Sequence, residues 1–549
     1  MPAKPVKNPP KPVRKETATR CAAAKKTRAK PTPVRASQPG NVARHTISSG
    51  RRGSAPVACA AVDLGATSGR VILGLWAGEA GGRLRLTEAH RFPNAYRELG
   101  PHAYWDIGQL WHEVRSGLVK AAALVPHGGR LASVGVDSWG CDHVLLDDSG
   151  RIVFPLHAYR DNRVQPALKA LNKDRASSAR LYAATGIPNL FYNTSLHLAE
   201  TLDRYPAIRG LATRCLFLPD YFNFLLSGRL ENELTISSTS QLLGVQPQAE
   251  WAPDALAHFG IPPEWFRTPI LPGTPLGPAR SIPELRGAQV IAVPGHDTAC
   301  AYDAMPASED GGDLYLSSGT WSLIGFENPT PLLGPAAQKA RIANERAGGG
   351  HFRPLTNIDG LFLLEQLMVE YPEQRPKNAK DWAALVSAAE ALRPASKRNT
   401  RAAAGGPALL KLNDGSFANP ASMRAAIDSQ LRKRKLPLPA DLAGYARLIY
   451  DSIAHSHAEA MHLFERLTNK QFKRILMVGG GSKNRLLCQA TADAAGIPVH
   501  SFSLEGTAVG NIARQLIALG AVKDLRSFRH HLSAQLTGSA RYHPRSRDS

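Results

Sequence analysis

The stretch Val62-Asp63-Leu64-Gly65-Ala66-Thr67-Ser68-Gly69-Arg70-Val71-Ile72-Leu73 joins two apolar runs through a turn of glycine and small hydroxyl residues. Such a turn offers backbone N–H groups and hydroxyls with no bulky side chain in the way, which is what a phosphate chain needs from a protein. An altered copy returns at Leu314-Tyr315-Leu316-Ser317-Ser318-Gly319-Thr320-Trp321-Ser322-Leu323-Ile324-Gly325. Two such turns in the two halves of the chain predict two similar domains gripping one nucleotide. Taken singly, the first turn has a plainer reading, a β-hairpin whose turn is capped by Asp63.

Outward from the first turn, residues 57–62, 69–76 and 84–92 read as three antiparallel strands, and 105–125 as a helix. A buried strand from Leu131 to Asp137 ends at Ser138-Trp139-Gly140, and a short strand over 144–146 turns at Asp147-Asp148-Ser149-Gly150. Helical segments are expected through about residue 226. A strand over 289–293 delivers Gly295-His296-Asp297-Thr298. The second half begins near residue 303. Residues 357–371 and 440–467 read as helices, the latter with Asp441 as N-cap, and 395–407 as a surface loop. A final alternation places a strand at 475–478, a Gly479-Gly480-Gly481 turn, a helix at 483–495, a strand at 497–502 and a helix at 507–519. Strands mixed with crossover helices in two similar halves predict an α/β fold around a cleft. The expected divisions are 1–55, 56–304, 305–535 and a flexible 536–549.

Of the net charge of +22, residues 1–55 supply +13, with 14 Lys or Arg against Glu16 alone. That stretch is rich in Pro, Lys, Ala and Ser without apolar periodicity, so it is expected to be a disordered tail. Loose contact with nucleic acid or acidic surfaces and a transit peptide are further readings; a plain solvated extension or a wrongly assigned start is preferred, and nucleic acid is not an expected partner. The remainder carries a charge ordinary for an enzyme that binds anions. No apolar run approaches the ~20 residues of a membrane span, and the N-terminus lacks the apolar core of a secretory signal. Six scattered cysteines without a CxxC pair argue against a zinc or disulfide framework and for a reduced cytoplasm.

The chemistry-bearing residues follow. Asp63, at a strand end beside the first turn, is placed to hold Mg²⁺ through water, and Arg70 to meet phosphate oxygens. Gly479-Gly480-Gly481, between a strand and a helix, suits a phosphate and a flat adenosine; alone it would be a plain turn. Asp297 is the candidate general base, since a sugar hydroxyl is a poor nucleophile until a carboxylate accepts its proton; alone it would be a helix cap. The clusters Asp137-Ser138-Trp139-Gly140-Cys141-Asp142 and Tyr159-Arg160-Asp161-Asn162-Arg163 combine polar groups with aromatic rings, as sugar sites do. His455, His457 and His462 read as surface and packing residues rather than a metal set.

Together these motifs resemble the FGGY carbohydrate kinases over about residues 57–525. The resemblance is carried by VDLGATSGR at 62–70, DSWGCDHVLLDDSG at 137–150, YRDNR at 159–163, LPDYFNFLLSG at 218–228, GHDTA at 295–299, YLSSGTWSLIGFE at 315–327, NIDGLFLLE at 357–365 and VGGGSKNRLL at 478–487. It implies two actin-like ATPase (ribonuclease H-like) domains flanking a catalytic cleft, and a monomer or homodimer. Within the family the DSWG-x-D and LPDYF blocks and Gly510-Asn511-Ile512 are most similar to the branch that phosphorylates L-rhamnulose at its 1-hydroxyl with MgATP. By that resemblance Asp297 is the proton acceptor. Ala66, Thr67, Ser68, Gly69, Arg70, Thr320, Glu365, Gly479, Gly480 and Gly481 contact ATP. Gly140, His296, Asp297, Thr298 and Asn357 contact the ketose. The chain departs from the pattern at Glu365, often Gln in that branch, at Cys141 and His143 in the sugar loop, and at Leu504-Glu505-Gly506-Thr507. Two alternatives stay open: a kinase for L-fuculose or L-xylulose, and a non-catalytic actin-like binding protein.

Overall fold

The computed structural model describes residues 56–78, 82–392, 409–412, 414–417, 420–502, 505–536 and 539–545. The expected tail and the surface loop at 395–407 lie outside them. The described residues belong to one compact unit.

Two sheets organise the chain. The first uses β1 (Val57–Leu64), β2 (Ser68–Trp76), β3 (Leu84–Pro93), β4 (Ser133–Ser138), β5 (Thr274–Pro278) and β6 (Gln289–Ala292), in the order β3-β2-β1-β4-β6-β5. The second uses β7 (Asp313–Ser318), β8 (Trp321–Gly325), β9 (Ala343–Arg346), β10 (Phe352–Asp359), β11 (Arg474–Val478), β12 (Val499–Ser501) and β13 (Ala540–Tyr542), in the order β9-β10-β8-β7-β11-β12-β13. In the first, β1 pairs antiparallel with β2, β2 with β3, and β1 and β6 run parallel to β4. In the second, β7 pairs antiparallel with β8, β8 with β10, and β7 and β12 run parallel to β11. The two halves thus repeat one topology, each beginning with one of the two turn-bearing hairpins. The central strands β1 and β11 are apolar runs buried on both faces, as strands with parallel neighbours must be.

Helices cover the sheets. α1 (Ile107–Ala123) is capped by Asp106, which accepts the Gln109 N–H, and buries Leu110, Val114 and Leu118 along one stripe. α2 (Asp297–Ala304) follows β6, and α3 (Phe362–Leu367) follows β10. α4 (Leu442–Thr468), capped by Asp441 as expected, packs on α5 (Arg485–Ala495). α6 (Gly506–Ala518) packs against α2 and, although it lies near the chain's end, against β1 and β4 of the first sheet. There Asn511 Nδ2 donates to the Gly135 carbonyl and to Asp137, Gln515 Nε2 donates to the Ala60 carbonyl, and Ser133 Oγ donates to Gln515 Oε1.

Three expectations change. Residues 357–359 are strand, not helix, because they pair with Trp321–Leu323, and the helix starts only at Phe362. The helical run through 226 is broken by a strand, Arg214–Phe217, that pairs with His143–Leu146. β13 adds an edge strand within the stretch expected to be a flexible C-terminus. Among the described residues no helix is long and apolar enough to cross a membrane.

Candidate active site

A cleft of about 280 Å³ is lined by Ala66 and Thr67 of the first turn and by Gly319 and Thr320 of the second. Asp297 lines it between them, with His296, Thr298, Gly140 and Asn357. Sequence residues far apart, chosen for one chemistry, therefore share one cavity. The walls add Trp139, Tyr159, Arg160, Tyr192, Glu345 and Thr507.

Other expected contacts stand outside this lining. Gly479, Gly480 and Gly481 follow β11, whose Val478 is in register with Ser317, so they lie at the same sheet end as the second turn. A Cβ at Gly479 would come within 2.5 Å of the Ser318 carbonyl oxygen. Glu365 is exposed on α3, a helix anchored behind the second turn by Leu361 N–H to the Gly319 carbonyl (3.0 Å) and Phe362 N–H to the Thr320 carbonyl (3.2 Å). Ser68, Gly69 and Arg70 open β2. Gly69 has to be glycine because a Cβ there would overlap the Phe92 ring. Arg70, expected to reach phosphate, instead donates from Nε to Asp63 Oδ2 at 2.8 Å and pairs with Glu505 at 2.6 Å. The first turn is clamped by Asn94, a residue with no local signal: its Nδ2 donates to the Gly65 carbonyl (2.8 Å) and its backbone N–H to the Thr67 carbonyl (3.0 Å).

Beneath the turn, Asp63 and Asp137 are register partners on β1 and β4. Burial raises both carboxyls above their usual range. The Arg70 charge opposes the rise at Asp63, whereas Asp297 and Glu505 add to it, and the charge of Asp63 adds to the rise at Asp137. Asp137 accepts from Asn511 Nδ2 through Oδ2 at 2.6 Å, while its buried Oδ1 has no hydrogen-bond partner. These two carboxyl groups therefore sit side by side beneath the turn, a cluster whose mutual repulsion a nearby cation would relieve.

Asp297 begins α2 with its side chain 31% exposed, and its Oδ1 accepts the Thr298 hydroxyl at 3.0 Å and lies 3.4 Å from His296 Nε2. Two buried residues hold this junction. Glu233 accepts the Gly295 N–H at 2.8 Å, and the Thr235 hydroxyl accepts the His296 N–H at 3.3 Å. On the far side, His296 Nδ1 is 2.9 Å from Glu345, which also binds the buried Arg353. Burial pushes the Glu345 carboxyl up, but Arg353 and His296 outweigh it and hold it at about 2. Asn357 donates to the Tyr192 hydroxyl. Trp139 packs against Trp105 with ring centroids 4.4 Å apart and planes tilted by 39°, and both indoles donate to Asp142 Oδ2, at 2.7 and 2.6 Å. The result is a polar, aromatic-walled chamber with one accessible carboxylate at a helix start, suited to a polyhydroxylated substrate and proton acceptance.

Residues 58–275 match the N-terminal domain, and residues 314–519 the C-terminal domain, of the FGGY family of carbohydrate kinases. The chain is 38% identical over 473 residues to "Rhamnulokinase" of Klebsiella pneumoniae (strain 342), covering 86% of this chain and 91% of that protein. It is 38% identical over 476 residues to the protein of the same name from Pectobacterium carotovorum subsp. carotovorum (strain PC1), covering 86% and 90%. Among solved structures it resembles gluconate kinase from Lactobacillus acidophilus (TM-score 0.70, 15% identity, 89% of this chain and 94% of that one). It also resembles xylulose kinase from Rhodospirillum rubrum (TM-score 0.68, 19% identity, 88% and 94%). At those identities the structures speak for the fold, which is that of sugar kinases, while the matches along both halves decide the family: the chain belongs to the FGGY carbohydrate kinases.

Proposed function

We propose that this kinase transfers the γ-phosphoryl group of ATP to the 1-hydroxyl of L-rhamnulose, with Asp297 as general base. The observation that carries the reading is the shared cleft: residues of both hairpin turns line one cavity together with Asp297. The relatives named rhamnulokinase support the choice of sugar.

In this reading the sugar lies against Trp139 and Tyr192, with Gly140, His296, Thr298 and Asn357 contacting its hydroxyls. Asp297 takes the proton of the attacking hydroxyl as the bond to phosphorus forms, and ADP leaves. Phosphoryl transfer needs little beyond positioning and charge neutralisation. Residues Ala66 to Arg70, Thr320 and Gly479–Gly481 hold the nucleotide, with Arg70 exchanging Glu505 for phosphate. A divalent ion, Mg²⁺ in a cell, neutralises phosphate charge when bound. Asp63, Asp137 and Asp297 fit it through intervening water rather than as a tight ligand cage, since they do not form a close three-ligand group. Glu365 would repel phosphates and is assigned no contact. Residues 56–304 and 305–535 act as the two jaws, and the free buried cysteines among the described residues suit a reduced cytoplasm.

The test is ADP release by purified protein across a panel of ketoses. Highest kcat/KM with L-rhamnulose supports the assignment. A clear preference for L-fuculose or L-xylulose moves the specificity, and no turnover of any sugar removes the reading.

A further inference from the structure

A second set of donors sits beside the sugar wall. His102, His157 and Asp161 each bring one ligand atom within 4.8 Å of the other two, the group of this kind found among the described residues. Their backbone is pinned. Trp105 N–H donates to the Leu156 carbonyl and Ala158 N–H to the Ala103 carbonyl, both at 2.9 Å, and Tyr104 bridges to His157.

Each side chain is also oriented. His157 Nδ1 lies 3.2 Å from the Pro155 carbonyl, which can only accept, so Nδ1 carries the proton and Nε2 keeps its lone pair. Asp161 accepts the backbone N–H groups of Ala103 (2.7 Å) and Arg163 (2.8 Å), which fix its carboxylate beside His102. Arg163, a cation close to the site, is already paired with Glu200 at 2.8 Å. The His102 side chain is 34% exposed, so an ion has a path from solvent and water can complete its shell.

Two imidazoles and one carboxylate suit borderline divalent metals, whereas Mg²⁺ prefers oxygen alone. We propose that His102, His157 and Asp161 bind a zinc-class divalent cation, at a site separate from the ion that accompanies ATP. Tyr159 and Arg160, which line the cleft, lie between two of its ligands in the chain. A bound ion would therefore tie the strand His102–Tyr104 to the loop on either side of those two residues.

The experiment uses the full, untagged chain stripped with chelator, titrated calorimetrically with Zn²⁺ in saturating Mg²⁺. The wild type is expected to bind one tight equivalent and to melt at a higher temperature with it. His102→Ala and His157→Ala are each expected to bind about tenfold or more weakly and to lose the shift. Unchanged affinity in both variants, or no binding by the wild type, overturns the site. Zinc K-edge absorption of the loaded wild type gives a reading independent of how the variants fold. Imidazole and oxygen scatterers at about 2.0–2.2 Å support the proposal, and a spectrum without imidazole overturns it.

Discussion

A Cβ on Gly510 would overlap the carbonyl oxygen of Cys300, so α6 and α2 touch backbone to backbone at that pair. The obstacle is main chain, and no rotamer change relieves it. Gly510→Ala is expected to force the helices apart and to cost about 1–3 kcal/mol or more, as overpacking does. A melting curve checks it; a variant as stable as the wild type would show that the crossing has slack.

Asp297 lines the cleft and is the proposed general base. Asp297→Asn preserves shape and removes that proposed proton acceptor. Turnover is expected to fall by about 10²–10⁴-fold, while calorimetric sugar binding stays within a few-fold. Near-normal turnover would take Asp297 out of the mechanism.

Asp142 gives the protein a pH dependence with a definite sign. Burial lifts its carboxyl to about 7, against the two indole hydrogen bonds that oppose the shift. In the unfolded chain it titrates near about 3.9. Between those values the folded state keeps a proton that the unfolded state has lost. The stability it contributes is therefore complete below about pH 4 and lost as pH rises through about 7. In denaturant melts at pH 5 and pH 8, Asp142→Asn should lack roughly 2–3 kcal/mol of the wild-type loss. Parallel pH profiles for the two proteins would refute the assignment.

Asn94 shapes the first turn without lining the cleft. Asn94→Ala removes the side-chain bond to the Gly65 carbonyl, worth about 1 kcal/mol. The expected outcome is a several-fold rise in KM for ATP with KM for the sugar unchanged. Equal effects on both constants would point to a general loss of fold instead.

The hairpins were readable because each has apolar runs on both sides of a turn of glycine and hydroxyl residues, a pattern complete within a dozen positions. The place of Asp297 in the chain was readable for a similar reason, as a strand leads through the short Gly295-His296 turn to the helix it begins. Asn357 was assigned to the site but to the wrong element. The apolar Leu361–Leu364 run favours helix, while pairing of residues 357–359 with β8 is decided elsewhere in the chain. The same limit hid Asn94, Tyr192, Glu233, Glu345 and Arg353. Tyr192 meets Asn357 across 165 positions and Glu345 meets His296 across 49, so no spacing in the sequence announces either. Arg70 shows a different limit: its charge was legible, but its carboxylate partners were set by the fold.

The docking of α6 on the first sheet bears on how the protein is made. A ribosome releases β1 to β6 well before Asn511 and Gln515 emerge. Until they do, the Ser133 hydroxyl, the Asp137 carboxylate and the carbonyls of Ala60 and Gly135 lack the partners they have in the finished molecule. Before that, the face that α6 covers is open to water, which can serve these groups in its place. The two repeated halves, alike enough to look like independent modules, are thereby joined: the first sheet reaches its final packing only with a helix of the second half in place.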